Sequence, residues 1–379
     1  MVLDGKRELT VVFRADASRD IGTGHVMRCL TIAGALKPFG FKSVFVSRSH
    51  PGHMLEYVRS LGYEAYELSC DPEWSGSADL YARWLGTTEE ADAEQCLALF
   101  QAKRLTPDLV VVDHYGIGEA WETKIGIGTT AKRMVIDDLA NRKHQCDLLL
   151  DWNLHESMES RYANLVSSGT RLLLGPRYAV FRPEFYELSL TPREPIGIVN
   201  RLLVFYGGID SGNETRKALR AIASGSLSGV RVDVVLGSAN PNINQLRAEF
   251  GSVKAVRFHV NASNMAEFIA SADIGFGAGG VAALERCFLG LPTLTTTIAD
   301  NQVSPTRALA ARGAIEYLGD SIEVTEETLR AAFLRLASDT ERRRSMQQRG
   351  FGLFRERSVR IGHPLVGAIM EMIYGTAPL

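Results

Sequence analysis

The feature that most restricts the fold is an alternation. Short apolar runs recur along the chain, and stretches with helical spacing separate them. The first run is Leu9-Thr-Val-Val-Phe13, followed by Val26, Leu30, Ala33 and Leu36 on one helical stripe. Ser43–Arg48, Glu64–Leu68, Leu109–His114, Arg133–Asp138, Asp147–Asp151 and Arg171–Gly175 continue the series, with helices expected over 54–61 and 89–104. Runs rich in Val, Ile, Leu and Phe read as buried strands, and strands alternating with helices mark an α/β fold with a parallel sheet covered by helices. Six or seven strands complete one such domain. The stretch 71–87 has no clear period and reads as a loop, with room for a short helix. Its aromatics Trp74, Tyr81 and Trp84 are open to two readings, packing or the lining of a sugar pocket.

Two prolines and charged residues in Leu190-Thr-Pro-Arg-Glu-Pro-Ile196 interrupt the pattern, as a linker does. Beyond it the alternation restarts with strands expected at 202–206, 231–236, 255–259, 274–276 and 293–297. The expected organisation is a first domain over 1–190, a linker over 191–196, a second domain over 197–360 and a last helix within 361–379. That helix carries Leu365, Val366, Ile369, Met372 and Ile373 on one stripe and is expected to pack back on the first domain.

Composition narrows the partners. An apolar share of 45% over 379 residues is enough for more than one core. A formal charge of −2 offers no basic field for nucleic acid or an anionic membrane. The five cysteines (Cys29, Cys70, Cys96, Cys146, Cys287) are scattered and never in Cys-x-x-Cys spacing, which points to free thiols in a reducing cytosol and not to a zinc site. No apolar run approaches the roughly 18 residues that a membrane span needs. The expectation is a cytoplasmic protein that takes a small molecule and needs no metal or other cofactor, with a monomer favoured.

Three places concentrate chemistry. The turn Gly22-Thr-Gly24 delivers His25 to the first turn of a helix, where partial positive charge disfavours protonation of an imidazole and favours anions nearby. A neutral histidine there can take a proton from water; a lone histidine can equally be a hydrogen-bonded structural residue. Asp113, His114 and Tyr115 end a strand at the edge where open α/β sheets bind ligands, and a strand-end carboxylate also caps loops, so both readings stand. In the second half, Gly275-Phe-Gly-Ala-Gly-Gly280 closes a strand and opens a helix, a turn suited to a pyrophosphate. Glu285 on that helix can accept from the vicinal hydroxyls of a ribose, or pair with Arg286. Gly207 and Gly208 admit a phosphate or a plain tight turn. Asn301 and Gln302 bring amide donors to the next strand end.

Several blocks resemble the UDP-2,4-diacetamido-2,4,6-trideoxy-β-L-altropyranose hydrolase family of pseudaminic acid biosynthesis. They are Phe13-Arg-Ala-Asp with Ile21-Gly-Thr-Gly-His-Val-Met-Arg-Cys-Leu30, Val112-Asp-His-Tyr-Gly116, Ile136-Asp-Asp-Leu-Ala-Asn-Arg142, Leu174-Gly-Pro-Arg-Tyr-Ala179, and Gly277-Ala-Gly-Gly280 with Glu285-Arg-Cys-Phe-Leu-Gly-Leu-Pro292. The second half is also similar to the nucleotide-binding half of the peptidoglycan N-acetylglucosaminyltransferase.

The resemblance implies a GT-B architecture, two Rossmann-like domains with parallel sheets facing across a cleft, with UDP held mainly by the second. It implies metal-independent, inverting hydrolysis of a UDP-linked sugar. His25 would be the base, with Tyr115 and Asp16 at the same catalytic centre and Gly22, Gly24 and Arg28 on the substrate. Gly207, Gly208, Gly279 and Gly280 would approach the diphosphate and Glu285 would hold the ribose. The backbone at Val260 would read uracil, and Asn301 with Gln302 would meet the sugar–phosphate end. Val281 departs from the family, whose members commonly carry a small hydroxyl residue there, and Arg360-Ile-Gly-His-Pro364 fits the family's last glycine-rich run only in part. Two alternatives share these residues: a glycosyltransferase using a UDP-sugar donor, and a nucleotide-sugar-binding protein without turnover.

Overall fold

Seven strands form the first sheet: β1 (Leu9–Ala15), β2 (Phe41–Arg48), β3 (Glu64–Leu68), β4 (Leu109–Asp113), β5 (Lys132–Ile136), β6 (Leu148–Asp151) and β7 (Arg171–Leu174). Their order is β3-β2-β1-β4-β5-β6-β7, and every pair is parallel. The apolar runs form strands here because helices bury both faces of the sheet. Val12, Val44, Val46, Val110 and Val112 lie in one cluster with Phe100, Trp121 and Ile125, and each such side chain removed from water contributes about 1.5–3 kcal/mol. The stretch 71–87 contains the helix Leu80–Leu85. The Asp79 carboxylate accepts hydrogen bonds from the Tyr81 and Ala82 backbone N–H groups at its start, and Gly86 at φ 71° closes it.

This description comes from a computed structural model and covers residues 8–70, 74, 76–77, 79–189, 194, 197–223, 229–354 and 363–375. Of the expected linker 191–196 only Glu194 is among the described residues, and residues 360–362 of the partial glycine-rich run lie outside them.

The second sheet contains β8 (Arg201–Phe205), β9 (Arg231–Leu236), β10 (Val256–Val260), β11 (Ile274–Ala278), β12 (Thr293–Thr297) and β13 (Glu316–Asp320), in the order β10-β9-β8-β11-β12-β13, again all parallel. Leu202, Val204, Val232, Val234, Phe276 and Leu294 share a core with Leu219, Ile222, Leu329 and Leu336 from the covering helices.

The chain divides into two compact units. One gathers the described residues of Met1–Trp152, Ser157–Val180 and Arg360–Leu379, the other those of Asn153–Glu156 and Phe181–Val359. The division falls after Val180, ahead of the proline-rich stretch. The helix Pro183–Ser189 therefore goes with the second unit, where Phe181 and Tyr186 pack on Phe288 at ring distances of 4.5 and 5.1 Å. The helix Pro364–Tyr374 belongs to the first: His363 Nε2 donates to the Ala179 carbonyl at 3.1 Å, and Arg171 pairs with Glu371 at 2.5 Å. All five cysteines are free; four are buried and Cys70 is partly exposed. No helix among the described residues is long and apolar enough to cross a membrane.

Each sheet reverses its strand order once, between β1 and β4 in the first and between β8 and β11 in the second. Crevices at such switch points are where open α/β sheets bind ligands.

Candidate active site

Both strands at the first switch point contribute. β1 leads into a turn in which Ser18 Oγ accepts from the N–H groups of Asp20 and Ile21, and Gly22 at φ 80° donates to the Ser18 carbonyl at 2.9 Å. The helix Gly24–Leu36 follows without a side-chain cap at Thr23, so no side chain covers its first turn. A side chain at Gly24 would meet nothing within 4 Å. β4 pairs with β1 in a register that sets Ala15 opposite Asp113, and this brings the Asp113 carboxylate under that first turn.

His25 Nδ1 lies 2.6 Å from Asp113 Oδ1. Arg28, one turn further along the helix, donates to both oxygens of the same carboxylate, Nη2 to Oδ1 at 2.6 Å and Nε to Oδ2 at 2.7 Å. Burial alone would raise the Asp113 pKa, but the Arg28 guanidinium and His25 override it and hold the carboxyl well below the usual range. An ionised carboxylate only accepts, so Nδ1 carries the proton in this bond and the lone pair of a neutral ring is on Nε2. Nε2 has no partner among the described residues.

Tyr115 meets the His25 ring edge-on at 4.6 Å. Burial, with the Asp138 carboxylate beside it, pushes the Tyr115 hydroxyl well above its ordinary pKa. It therefore stays protonated, with its hydroxyl hydrogen-bonded to that carboxylate, and does not act as a base. Tyr81 and Trp84 close around it at 5.2 and 6.1 Å, so the aromatics of the short helix build the wall behind Tyr115.

Asp16, expected at the catalytic centre, and Arg28, expected on the substrate, are both engaged in buried ion pairs. Asp16 is fully buried, and its oxygens accept from Arg14 at 2.5 and 2.9 Å and from the Arg48 backbone N–H at 2.6 Å. Arg14 and Arg48 also share Asp92, with bonds of 2.7 and 2.5 Å, and Trp121 Nε1 donates to Asp92 at 2.9 Å. Arg14 and Asp16 are thus half of a four-member buried ion network beneath the turn that carries His25. Arg28, expected on the substrate, is committed to Asp113, to Asp138 at 3.2 Å and to the face of Trp152 at 5.5 Å. It positions Asp113. His114 is likewise buried, with its pKa lowered to about 3 by burial, and its Nδ1 accepts from the Gly116 N–H at 3.0 Å.

In the second unit the glycine turn at the end of β11 lies at the other switch point. Gly279 admits no side chain, because a Cβ there would stand 2.4 Å from Thr306 Oγ1. Gly280 at φ 75° starts the helix Val281–Phe288 without a side-chain cap. Gln302 lies against this turn, its Oε1 accepting from the Ile298 N–H at 3.1 Å, and Asn301 beside it is exposed. Gly207 turns at φ 95° after β8, and the Gly208 carbonyl sits so close to Gly237 that a Cβ there would be 2.2 Å away.

Glu285 is half-buried, and burial pushes its carboxyl up to about 6 against the pull of nearby Arg182. It does not pair with Arg286, whose guanidinium turns under β11 and donates to the Ala278 carbonyl at 2.5 Å. Nothing in the sequence marked Arg286 for burial; it lies in space beside the Gly-x-Gly of β11. Val260, at the end of β10, lines a cavity of about 660 Å³ with Arg201, Arg231, His259, Ser263 and Phe268. Among the described residues no three His, Cys, Asp or Glu side chains come together as metal ligands.

With each unit a parallel sheet that switches direction once, the chain has the two-unit α/β fold of the GT-B class. Solved structures agree on that fold. MurG of Acinetobacter baumannii superposes with a TM-score of 0.62 at 14% identity, covering 97% of this chain and 100% of that one. The glycotransferase of kitacinnamycin gives 0.62 at 16%, covering 98% and 100%.

Among characterised sequences the chain is similar to the UDP-2,4-diacetamido-2,4,6-trideoxy-β-L-altropyranose hydrolase of Campylobacter jejuni, 26% identical over 69% of this chain and 81% of the hydrolase. It is also similar to the spore coat polysaccharide biosynthesis protein SpsG of Bacillus subtilis, 24% identical over 89% and 91%. A match to an uncharacterized protein of Methanocaldococcus jannaschii, 22% identical, takes in 76% of this chain but only 55% of that longer protein. No protein-family model matches the chain.

Proposed function

We propose that this chain is a nucleotide-sugar-processing enzyme and that its reaction is hydrolysis of a UDP-linked diacetamido-trideoxy sugar at the anomeric carbon. The observation that carries the reading is the Asp113–His25 pair, a histidine oriented by an ionised carboxylate with its second nitrogen unspent. Orientation by a carboxylate fixes the tautomer and steadies the imidazolium that forms on proton transfer. In the proposed step a water oxygen attacks the anomeric carbon, His25 Nε2 takes a water proton, the carbon–oxygen bond to the diphosphate breaks, and UDP leaves. General-base help of this kind is worth roughly 10²–10⁴ in rate. Tyr115, held protonated beside Asp138, walls the site next to the His25 ring. Attack opposite the leaving group inverts the anomeric centre.

The nucleotide is assigned to the second unit. The uncapped helix start at Gly280 suits the diphosphate, Gln302 and Asn301 suit its oxygens, Glu285 suits the ribose hydroxyls, and the backbone at Val260 suits uracil. No step here draws on a metal. The name of the Campylobacter relative supports the UDP-sugar substrate, and that of the Bacillus relative supports a place in polysaccharide biosynthesis.

The test is incubation with a panel of UDP-sugars in buffer without any acceptor, with UDP and free sugar followed by mass spectrometry and the first anomer by NMR. Hydrolysis gives both products at a catalytic rate. Release only after a sugar or lipid acceptor is added points to the transferase, and unchanged ligand after long incubation points to a binding protein.

A further inference from the structure

Arg286 is a buried cation without an anion. Its side chain is 1% exposed, and although Nη2 reaches the Ala278 carbonyl at 2.5 Å, Nε and Nη1 have no hydrogen-bond partner. Among the described residues no carboxylate forms an ion pair with it, and the charge of Glu285 next in sequence acts on it without a bond. Burial draws its pKa down to about 10, which still leaves it charged at neutral pH. Burying a charge unpaired is costly, and natural proteins retain such groups only where something completes them.

The surroundings are built for this side chain. It runs along one face of β11, where a Cβ on Gly275 would lie 3.4 Å from its Cδ and a Cβ on Gly277 2.7 Å from its Nη1. Successive odd positions of a strand share a face, and the missing side chains at these two glycines, crowded also by Leu291, Thr293 and Phe205, leave the arginine room against the strand. Its guanidinium ends at Ala278, the residue before Gly279 and Gly280, where the eight-residue helix Val281–Phe288 begins without a side-chain cap. The positive end of that helix and the unpaired guanidinium are therefore adjacent, and both favour negative charge at the same turn.

We propose that Arg286 is the buried counter-charge for the diphosphate of the nucleotide, a positioning residue that acts from beneath the glycine turn. It holds the Ala278 carbonyl and supplies a fixed positive potential, with the ligand's anionic charge as the missing partner. The inference rests on the UDP reading of the second unit. It also accounts for why an arginine follows Glu285 directly in sequence: on a helix the two side chains diverge, one left at the surface and one sent under the sheet edge.

The experiment compares calorimetric binding of UDP and of uridine to the native protein, Arg286→Met and Arg286→Lys, with thermal melts of each. Met keeps the volume and removes the charge. The expected result is a loss of at least about tenfold in UDP affinity for Arg286→Met, the scale of one charge acting across a few ångströms of partly screened protein. Uridine affinity should stay within about twofold, because the nucleoside lacks the charge that Arg286 serves. Arg286→Lys should recover part of the UDP affinity. The melting temperature of ligand-free Arg286→Met should match or exceed the native value, since an uncompensated buried charge has gone, while the upward shift on adding UDP shrinks.

A parallel fall in UDP and uridine binding, or UDP binding at the native level in Arg286→Met, overturns the proposal. If Arg286→Met does not fold, the lysine variant decides: an equal loss for both ligands overturns the proposal, and a loss confined to UDP supports it. A native protein that binds neither UDP nor uridine would defeat the nucleotide reading itself, which is a separate outcome from a native protein that binds UDP and a variant that binds it equally well.

Discussion

His25 and Asp113, 88 positions apart in sequence, meet at 2.6 Å because β1 and β4 are hydrogen-bonded neighbours in register. The carboxylate ends one strand, the imidazole follows the other, and Arg28 on the same helix as His25 closes on both carboxylate oxygens. Removing the negative charge from Asp113 should therefore damage the chemistry through His25 and also loosen the grip of Arg28 on that side chain. Asp113→Asn is expected to lower turnover by roughly 10²–10⁴ because the amide no longer enforces the Nδ1–H tautomer. UDP affinity, measured by calorimetry, should stay near native. A variant with normal turnover would leave His25 without a carboxylate-dependent role.

Glu285 supplies a pH dependence of binding. Burial pushes its carboxyl up to about 6, and only the ionised form accepts two hydrogen bonds from a diol. UDP affinity should rise as pH increases through about 6 and level off above it. Glu285→Ala should weaken UDP binding and flatten that profile between pH 5 and 7 (about one unit either side). Calorimetry across the range is the measurement, and an unaltered UDP affinity in the variant removes Glu285 from the site.

Much of this was legible in the chain. Runs such as Leu109-Val-Val-Val-Asp113 are apolar throughout because helices cover both faces of their sheet, and they mark their strands without help from the rest of the chain. β13 left no comparable mark: Glu316-Tyr-Leu-Gly-Asp320 is only half-buried, contains a glycine and shifts register against β12. The helix Glu119–Gly128 begins after Gly118 with no capping residue of its own, and Glu89 from a distant helix accepts from the Gly118 and Trp121 N–H groups instead.

The same distance effect hides part of what Asp16 and Arg28 contact. His25 stood out because a strand and a glycine turn precede it. Asp16 and Arg28 stood beside it; Asp16 bonds Arg14 two residues away, but its other partner Arg48 and the Arg28 partner Asp113 come from remote segments. Whether a charged residue faces a ligand or another buried charge depends on those partners, and local spacing does not contain them.

The ion network under β1 makes a stability prediction. Asp92 is held well below the usual carboxylate range by Arg14 and Arg48, against the effect of burial. Asp92→Ala leaves the buried Arg14 guanidinium with Asp16 alone and the buried Arg48 guanidinium with no carboxylate, only the Ser69 carbonyl. Denaturant unfolding should show a loss of about 3–5 kcal/mol, the usual consequence of breaking a buried pair by removing one partner. A change within about 0.5 kcal/mol, the range of an ordinary surface substitution, would contradict the network's role.

His144 sets an alkaline limit. Burial alone would lower its pKa, but Asp137 and Glu122, the latter at 2.7 Å from Nδ1, raise it to about 9. The folded value lies above the ordinary histidine value of about 6.5. The stabilisation is therefore complete below about 6.5 and is lost as pH rises through about 9. Melting temperature should fall across that window in the native protein. His144→Gln should be less stable at pH 6 and show a flatter profile, and equal slopes for the two proteins would refute the assignment.

The central claim is tested most directly by the rate of UDP release from the UDP-linked diacetamido sugar, without acceptor, by native protein and His25→Ala at equal nucleotide occupancy. The account predicts UDP and free sugar from the native protein and a rate lower by roughly two or more orders of magnitude in the variant, with UDP binding nearly intact. Release by His25→Ala at the native rate would contradict it.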